Sequence, residues 1–330
     1  MVLSSVRVKM IKLKDLVPVN LASEKEKFFA KQANYNPQFQ YQKPIDSSSL
    51  NYYGKSNCYY AHLAKKIIKQ AQKENLFQQE QSHNNILSEE EVKKIVTACL
   101  DDYALSDKYQ IIFSETFTSR FAVNFSENSI KIRLPINFKQ KRLINTLDHE
   151  IGTHILRQEN YLLQPWYKRK KAYSFRNHLL TEEGLAVIHQ YLNRDQQLVF
   201  QPALSYLGVQ LASKADYKTV YQFYYQYYQD PQKAWSQALK NKRGLTDTSL
   251  PGGFSKGLVY LTGFAQVLNY LRRHHYDPSP LYYGKLAYQD VKKAQKINPN
   301  YQALLPRFYT DDPQAYREKI QTLAKRNFIF

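Results

Sequence analysis

Between Tyr59 and Glu74 the run AHLAKKIIKQAQ repeats apolar positions three and four residues apart, with Leu63, Ile67 and Ala71 on one stripe. That period predicts an amphipathic helix. Ser88-Glu89-Glu90-Glu91 reads as a capping box opening a second helix, which carries Val92, Ile95, Val96 and Cys99 inward. From 109 to 134 the period changes to alternation. Tyr109–Phe113, Phe121–Phe125 and Ile130–Leu134 are predicted strands, the last two joined as a hairpin through Ser126-Glu127-Asn128-Ser129. Helical spacing returns at about 140–159 and 181–193, then at 203–213, 216–228, 231–241, 256–275, 280–296 and 313–326. Pro231, Pro280 and Pro313 stand where helices can begin. The Tyr- and Gln-rich run YQFYYQYYQD keeps helical spacing and reads as a packed amphipathic helix.

The expected fold class is therefore α+β: a mainly helical chain with a small antiparallel sheet beside the helix at 140–159. Residues 1–50 hold one short helix near Glu24–Lys31 and otherwise read as a loop-rich segment packed on the main unit. Residues 51–330 read as one catalytic domain.

Composition narrows the class. Hydrophobic residues make up 43% and aromatic residues 14% of 330, enough for a substantial core. The chain lacks an apolar run of membrane-spanning length, and MVLSSVRVKMIKLKD alternates rather than forming a secretory signal. Cys58 and Cys99 cannot build a disulfide framework, which points to a reducing, cytoplasmic setting. The net charge of +19 admits an acidic partner such as an acidic peptide. The basic residues are scattered, however, and Lys, Gln, Asn, Tyr and Ile are abundant together, as an AT-rich genome would give; nucleic-acid binding is not expected.

The candidate chemistry lies at 149–154, which reads HEIGTH, and at 181–186, which reads TEEGLA. With eight histidines and fourteen glutamates in the chain, about 0.01 chance occurrences of HExxxH are expected. Catalytic zinc takes three protein ligands and leaves one position for water. His149 and His154 supply two. Five residues apart, they diverge by roughly 140° on a regular α-helix. A single-turn π-bulge restores a shared face, and Gly152 between them crowds the widened turn least. Spacing alone leaves the third ligand open among Glu183, Glu182, His178 and His189. Glu150, next to the first histidine, is placed to act as general base, accepting a proton from the attacking water and returning one to the leaving amine. Asp148, Thr153 and Arg157 are near enough to orient the ligating imidazoles.

HEIGTH, Arg157, Asn160, Gln164-Pro165 and EEGLA, in that order, resemble the microtubule-associated tyrosine carboxypeptidase family and its bacterial QEGLA-motif relatives. PVNLASEKEKFF with NPQFQY at 18–41, and GGFSKGLVYLTG at 252–263, resemble its two flanking signatures. The resemblance implies a mainly helical zinc-metallopeptidase fold, zinc as cofactor, His149, His154 and Glu183 as ligands, and Glu150 as the catalytic glutamate. It also implies removal of a C-terminal aromatic residue, Tyr or Phe, from a peptide or protein.

Such an exopeptidase must neutralise the substrate's terminal carboxylate. Arg157, Lys256 and Tyr260 are the candidates, with Arg120 and Arg243 behind them; Tyr260 could instead donate to the tetrahedral oxyanion. Two positions depart from the family pattern: Lys256-Gly257 replaces Lys-Asp, and Tyr161 stands where relatives often carry glycine. Other classes fit the residues less fully: an endopeptidase, dipeptidyl peptidase or non-peptide amidohydrolase on the same metal, or a non-enzymatic basic binding protein.

Overall fold

The computed structural model describes residues 11–79, 85–117 and 119–330. The alternation read in the first ten residues lies outside them. The chain forms two compact units, Met1–Gln81 with Phe200–Leu261 and Ser82–Val199 with Thr262–Phe330. Residues 1–50 thus share a unit with two later segments. Among the described residues no helix is long and apolar enough to cross a membrane.

The first unit is helical. Cys58–Lys73 buries the predicted stripe of Leu63, Ile67 and Ala71, and its first turn is capped by Asn57, whose Oδ1 accepts from Tyr60 N at 3.0 Å. Tyr217–Tyr228 turns Tyr217, Val220, Tyr221, Tyr224 and Tyr228 inward, so the biased run is a packed helix as its spacing required. Pro231 opens Pro231–Lys242, with Asp230 accepting from the amides of Gln232 and Lys233 at 2.9 and 3.0 Å. Phe28 from Leu21–Ala30 stacks edge-on against Tyr217 and Tyr221 and packs on Trp235. The loop after it is pinned by buried Glu24, which accepts from Tyr35 Oη and Gln38 N, both at 2.8 Å.

The second unit contains the sheet. Strands β1 (Gln110–Ser114), β2 (Phe121–Asn124) and β3 (Ser129–Arg133) lie in the order β1-β3-β2. The expected β2–β3 hairpin forms, with Phe121 opposite Ile132 and Asn124 opposite Ser129. The sheet is not purely antiparallel, because β1 pairs parallel to β3. Two successive reversals leave β1 and β3 running the same way. The central place goes to β3, whose Ile130 and Ile132 are fully buried.

Around it stand Glu89–Asp101, opened by the predicted capping box, and the helical stretch from Gln140 to Leu162. Leu179–Leu192 and Pro313–Arg326 also belong to this unit. In the first of these helices Val92, Val96 and Leu100 are buried, while Ile95 and Cys99 are only half-buried. The stripe therefore runs one residue beyond the expected Cys99. The single helix expected over 280–296 is broken into 3-10 turns at Ser279–Tyr282 and Tyr288–Asp290, with α-helix only over Val291–Ile297. Gly284 explains the break. Its φ is +91°, and a Cβ there would lie 2.9 Å from Tyr161 Cα.

Candidate metal centre

The HEIGTH segment is a π-helix. Regular helix over Gln140–His149 widens into Glu150–Ile155 and resumes at Leu156–Leu162. The extra residue absorbed in the wide turn brings the imidazoles of His149 and His154 onto one face, as the five-residue spacing predicted. Their rings lie 4.9 Å apart between centroids, and the two Nε2 atoms are 3.2 Å apart. Gly152 leaves room for the ring that packs against the turn: a Cβ there would come within 2.6 Å of Phe308 Cε1. Tyr282 Oη donates to the Gly152 carbonyl at 2.6 Å, and Thr153 Oγ1 to the Asp148 carbonyl at 3.2 Å.

The carboxylates come from the helix Leu179–Leu192, where Thr181 through His189 are all buried. That helix approaches closely because two glycines meet. A Cβ on Gly184 would lie 2.3 Å from the backbone of Gly263, and one on Gly263 would lie 2.3 Å from Leu180 O. The glycine of EEGLA and the last glycine of GGFSKGLVYLTG are thus two halves of one helix contact. Glu183 turns toward the histidines: His154 Nε2 is 4.0 Å from Glu183 Oε2, and one donor atom from each of His149, His154 and Glu183 lies within 4.8 Å of the others.

Glu182 turns the other way. Its Oε1 meets His154 Nδ1 at 2.9 Å and Lys285 Nζ at 3.1 Å, and its Oε2 accepts from Arg157 Nη1. Burial alone would raise the Glu182 pKa; Lys285, Arg157 and His154 hold it well below the carboxylate range instead. Burial likewise opposes charge on His154, but the bond to Glu182 and the nearby charges of Glu182, Glu150 and Glu183 raise it overall. His149 is lowered well below the ordinary value by burial and by its histidine neighbours, against the weaker pull of the Ala186 backbone and Gln190. It is therefore neutral, with a lone pair to give.

These features fit a zinc ion. Two nitrogens bound at about 2.0–2.1 Å in tetrahedral geometry stand about 3.3 Å apart, close to the His149–His154 separation. A carboxylate on the far nitrogen of a ligating imidazole is the usual device for fixing its tautomer, and Glu182 has that position.

The remaining expectations divide. His189 is fully buried, with Thr153 Oγ1 2.7 Å from its Nδ1 and Tyr316 Oη 3.1 Å from its Nε2. Burial pushes it down to about 3, so it packs as a neutral bridge. His178 precedes the carboxylate helix, with Lys170 Nζ 3.1 Å from its Nδ1. Neither joins the donor group. Arg157, expected as a contact for the substrate carboxylate, is corrected: it is 0% exposed, and its three nitrogens go to Leu281 O, Glu182 and Leu286 O. No face is left for a ligand. Lys256 and Tyr260 belong to the first unit, Lys256 Nζ lying 5.9 Å from the Tyr260 ring centre. Arg243, in the same unit, stacks over Phe254. Lys285 and Lys170 also belong to this neighbourhood, and no motif or spacing in the chain signals them.

Two facing histidines and a converging carboxylate bring three possible metal donors within 4.8 Å of one another, with Glu150 next to the first histidine. The family model for the microtubule-associated tyrosine carboxypeptidases matches residues 45–329. The rat microtubule-associated tyrosine carboxypeptidase 1 is 33% identical over 320 residues, covering 94% of this chain and 68% of the relative. The human protein of that name is 32% identical, with 94% and 67% covered. The mouse putative tyrosine carboxypeptidase MATCAP2 is 29% identical over 317 residues, 94% of this chain and 60% of its own. The chain belongs to the microtubule-associated tyrosine carboxypeptidase family.

Proposed function

We propose that the protein is a zinc-dependent carboxypeptidase that removes a C-terminal aromatic residue from a peptide or protein. The observation that carries this reading is the convergence of His149, His154 and Glu183 across the π-turn, with Glu150 next to the first histidine. Membership of a family whose named members are tyrosine carboxypeptidases supports the choice of reaction. A bound zinc ion would supply Lewis acidity, polarising the scissile carbonyl and making water acidic enough to attack near neutral pH.

The protein's own groups do the rest. His149 and His154 would offer their Nε2 atoms to the ion, and Glu182 holds the His154 ring in place from behind. Glu150 takes the proton as water attacks and delivers it to the departing amine of the C-terminal residue. Lys256 and Tyr260 remain candidates for contacts to the substrate in this reading. An acidic segment before the cleaved residue would suit the net charge of +19, and a cytoplasmic protein substrate suits the free cysteines.

The test is mass spectrometry of peptides ending in Tyr, Phe or other residues, each with a free and an amidated C-terminus. Loss of a single residue from free aromatic ends is expected. Glu150→Gln should keep its zinc and lose turnover by about 100-fold or more. Cleavage at internal bonds, or full turnover by Glu150→Gln, would overturn the proposal.

A further inference from the structure

Glu182 is buried with more positive charge than it needs. Arg157 and Lys285 both bind it, and Lys170 lies just beyond, its Nζ donating to the Lys285 carbonyl and resting 4.5 Å from the centre of the Tyr161 ring. Arg157 alone neutralises Glu182 and spends every nitrogen on protein acceptors. Lys170 uses a carbonyl, an imidazole and a ring face. The ammonium of Lys285 differs from both. Among the described residues it meets one carboxylate oxygen, which it shares with His154, and the face of half-buried Phe125 at 4.0 Å. An ammonium carries three donors, so capacity is left over. Its side chain is 12% exposed where that of Arg157 is 0%, so a ligand can reach it and not Arg157; Lys170, also half-buried, already turns its ammonium to the three partners just named.

The charge count points the same way. With a divalent ion held by the proposed donors, Glu150, Glu182 and Glu183 are outweighed by the ion, Arg157 and Lys285 even when Lys170 is neutral. Burial first, and then the charges of Arg157 and Lys285 against that of Glu182, push Lys170 down to about 7. A partly buried surplus cation is stabilised by an arriving anion.

The geometry points to Lys285 as the group that binds the terminal carboxylate of the substrate. Its Nζ is two hydrogen-bond lengths from His154 Nδ1, through Glu182 Oε1. That suits a carboxylate carried one Cα beyond the scissile carbonyl rather than a group on the metal itself. The assignment rests on the carboxypeptidase reading, and the experiment separates the two.

Steady-state kinetics compare peptides ending in free and in amidated tyrosine, for the zinc-loaded protein and for Lys285→Gln and Lys285→Arg. The unaltered protein should prefer the free acid by about 100-fold in kcat/KM. Lys285→Gln should lose that preference by falling far more on the acid than on the amide; Lys285→Arg should retain part of it. An unchanged preference in Lys285→Gln, or an equal fall on both substrates, would overturn the assignment. A second arm needs no turnover: equilibrium binding of N-acetyltyrosine and its amide to zinc-loaded Glu150→Gln, with and without Lys285→Gln. If no peptide is cleaved yet the acid binds more tightly only when Lys285 is present, the reaction is wrong and the subsite stands. If the acid keeps its advantage without Lys285, the subsite is wrong.

Discussion

Lys242 and Arg157 are both fully buried cations, one in each unit, and they are satisfied by different chemistry. Lys242 Nζ donates to two backbone carbonyls, Ala215 O at 2.9 Å and Leu250 O at 2.6 Å. Arg157 also takes two carbonyls but adds the Glu182 carboxylate. Neutral acceptors fill hydrogen bonds without repaying the loss of hydration. Accordingly burial pulls Lys242 down to about 8, with Asp216 and Asp247 only partly opposing it. In the first unit the buried cation ties two loops together. In the second, the carboxylate that compensates Arg157 also grips His154, so the packing of that unit and the geometry of its candidate metal centre rest on the same atoms.

The largest effect on this shared network is expected of Glu182→Gln. It leaves Arg157 buried beside a neutral amide, so unfolding in urea should show a loss of about 3–5 kcal/mol. Freed from its carboxylate, His154 should bind zinc about 10–100-fold more weakly in a chelator competition. A stable variant with unchanged zinc affinity would show that the two roles are separate.

A smaller effect is expected of Gly184→Ala. The added methyl meets the Gly263 backbone, so the carboxylate helix must shift, at a cost of about 1–3 kcal/mol in urea unfolding, and zinc binding should weaken with it. Stability lost without any change at the metal would place the helix contact outside the site.

The least effect is expected from titrating Lys242. Its folded-state pKa of about 8 lies below the ordinary 10.5. Above pH 8 the unfolded chain therefore binds more protons than the folded one, and this residue's contribution to stability rises with pH until the unfolded lysine titrates. Urea unfolding from pH 8 to 9.5 should show that rise, and Lys242→Met should flatten it. Lys170, at about 7, contributes in the same direction from pH 7 upward, so part of the rise should remain in Lys242→Met.

Much of the second unit's site was legible in the chain. Two histidines five positions apart, with a glycine between them, cannot share a face without a π-turn, and that turn is present. Ser88 and Glu91 form the capping box their spacing required. The division of labour between Glu182 and Glu183 was not legible from spacing. Neighbours on a helix differ by about 100° in direction, and which of them meets Nδ1 and which Nε2 of His154 depends on how that helix packs, which spacing does not give. The same holds for Arg157: its position in sequence suggested a substrate contact, whereas the carbonyls that hold it come from the broken stretch at 281–286, where a continuous helix was expected. Lys285 lies in that stretch as well. Periodicity cannot reveal a lysine placed by an irregular turn.

In the proposed reading His149, His154 and Glu183 hold one divalent ion while Glu182 stands behind them. Elemental analysis of the purified protein and of Glu183→Gln after equal exposure to zinc and exhaustive dialysis tests it most directly. About one zinc per chain is expected in the unaltered protein and almost none in Glu183→Gln. Equal zinc in the two, or none in either, would contradict the account.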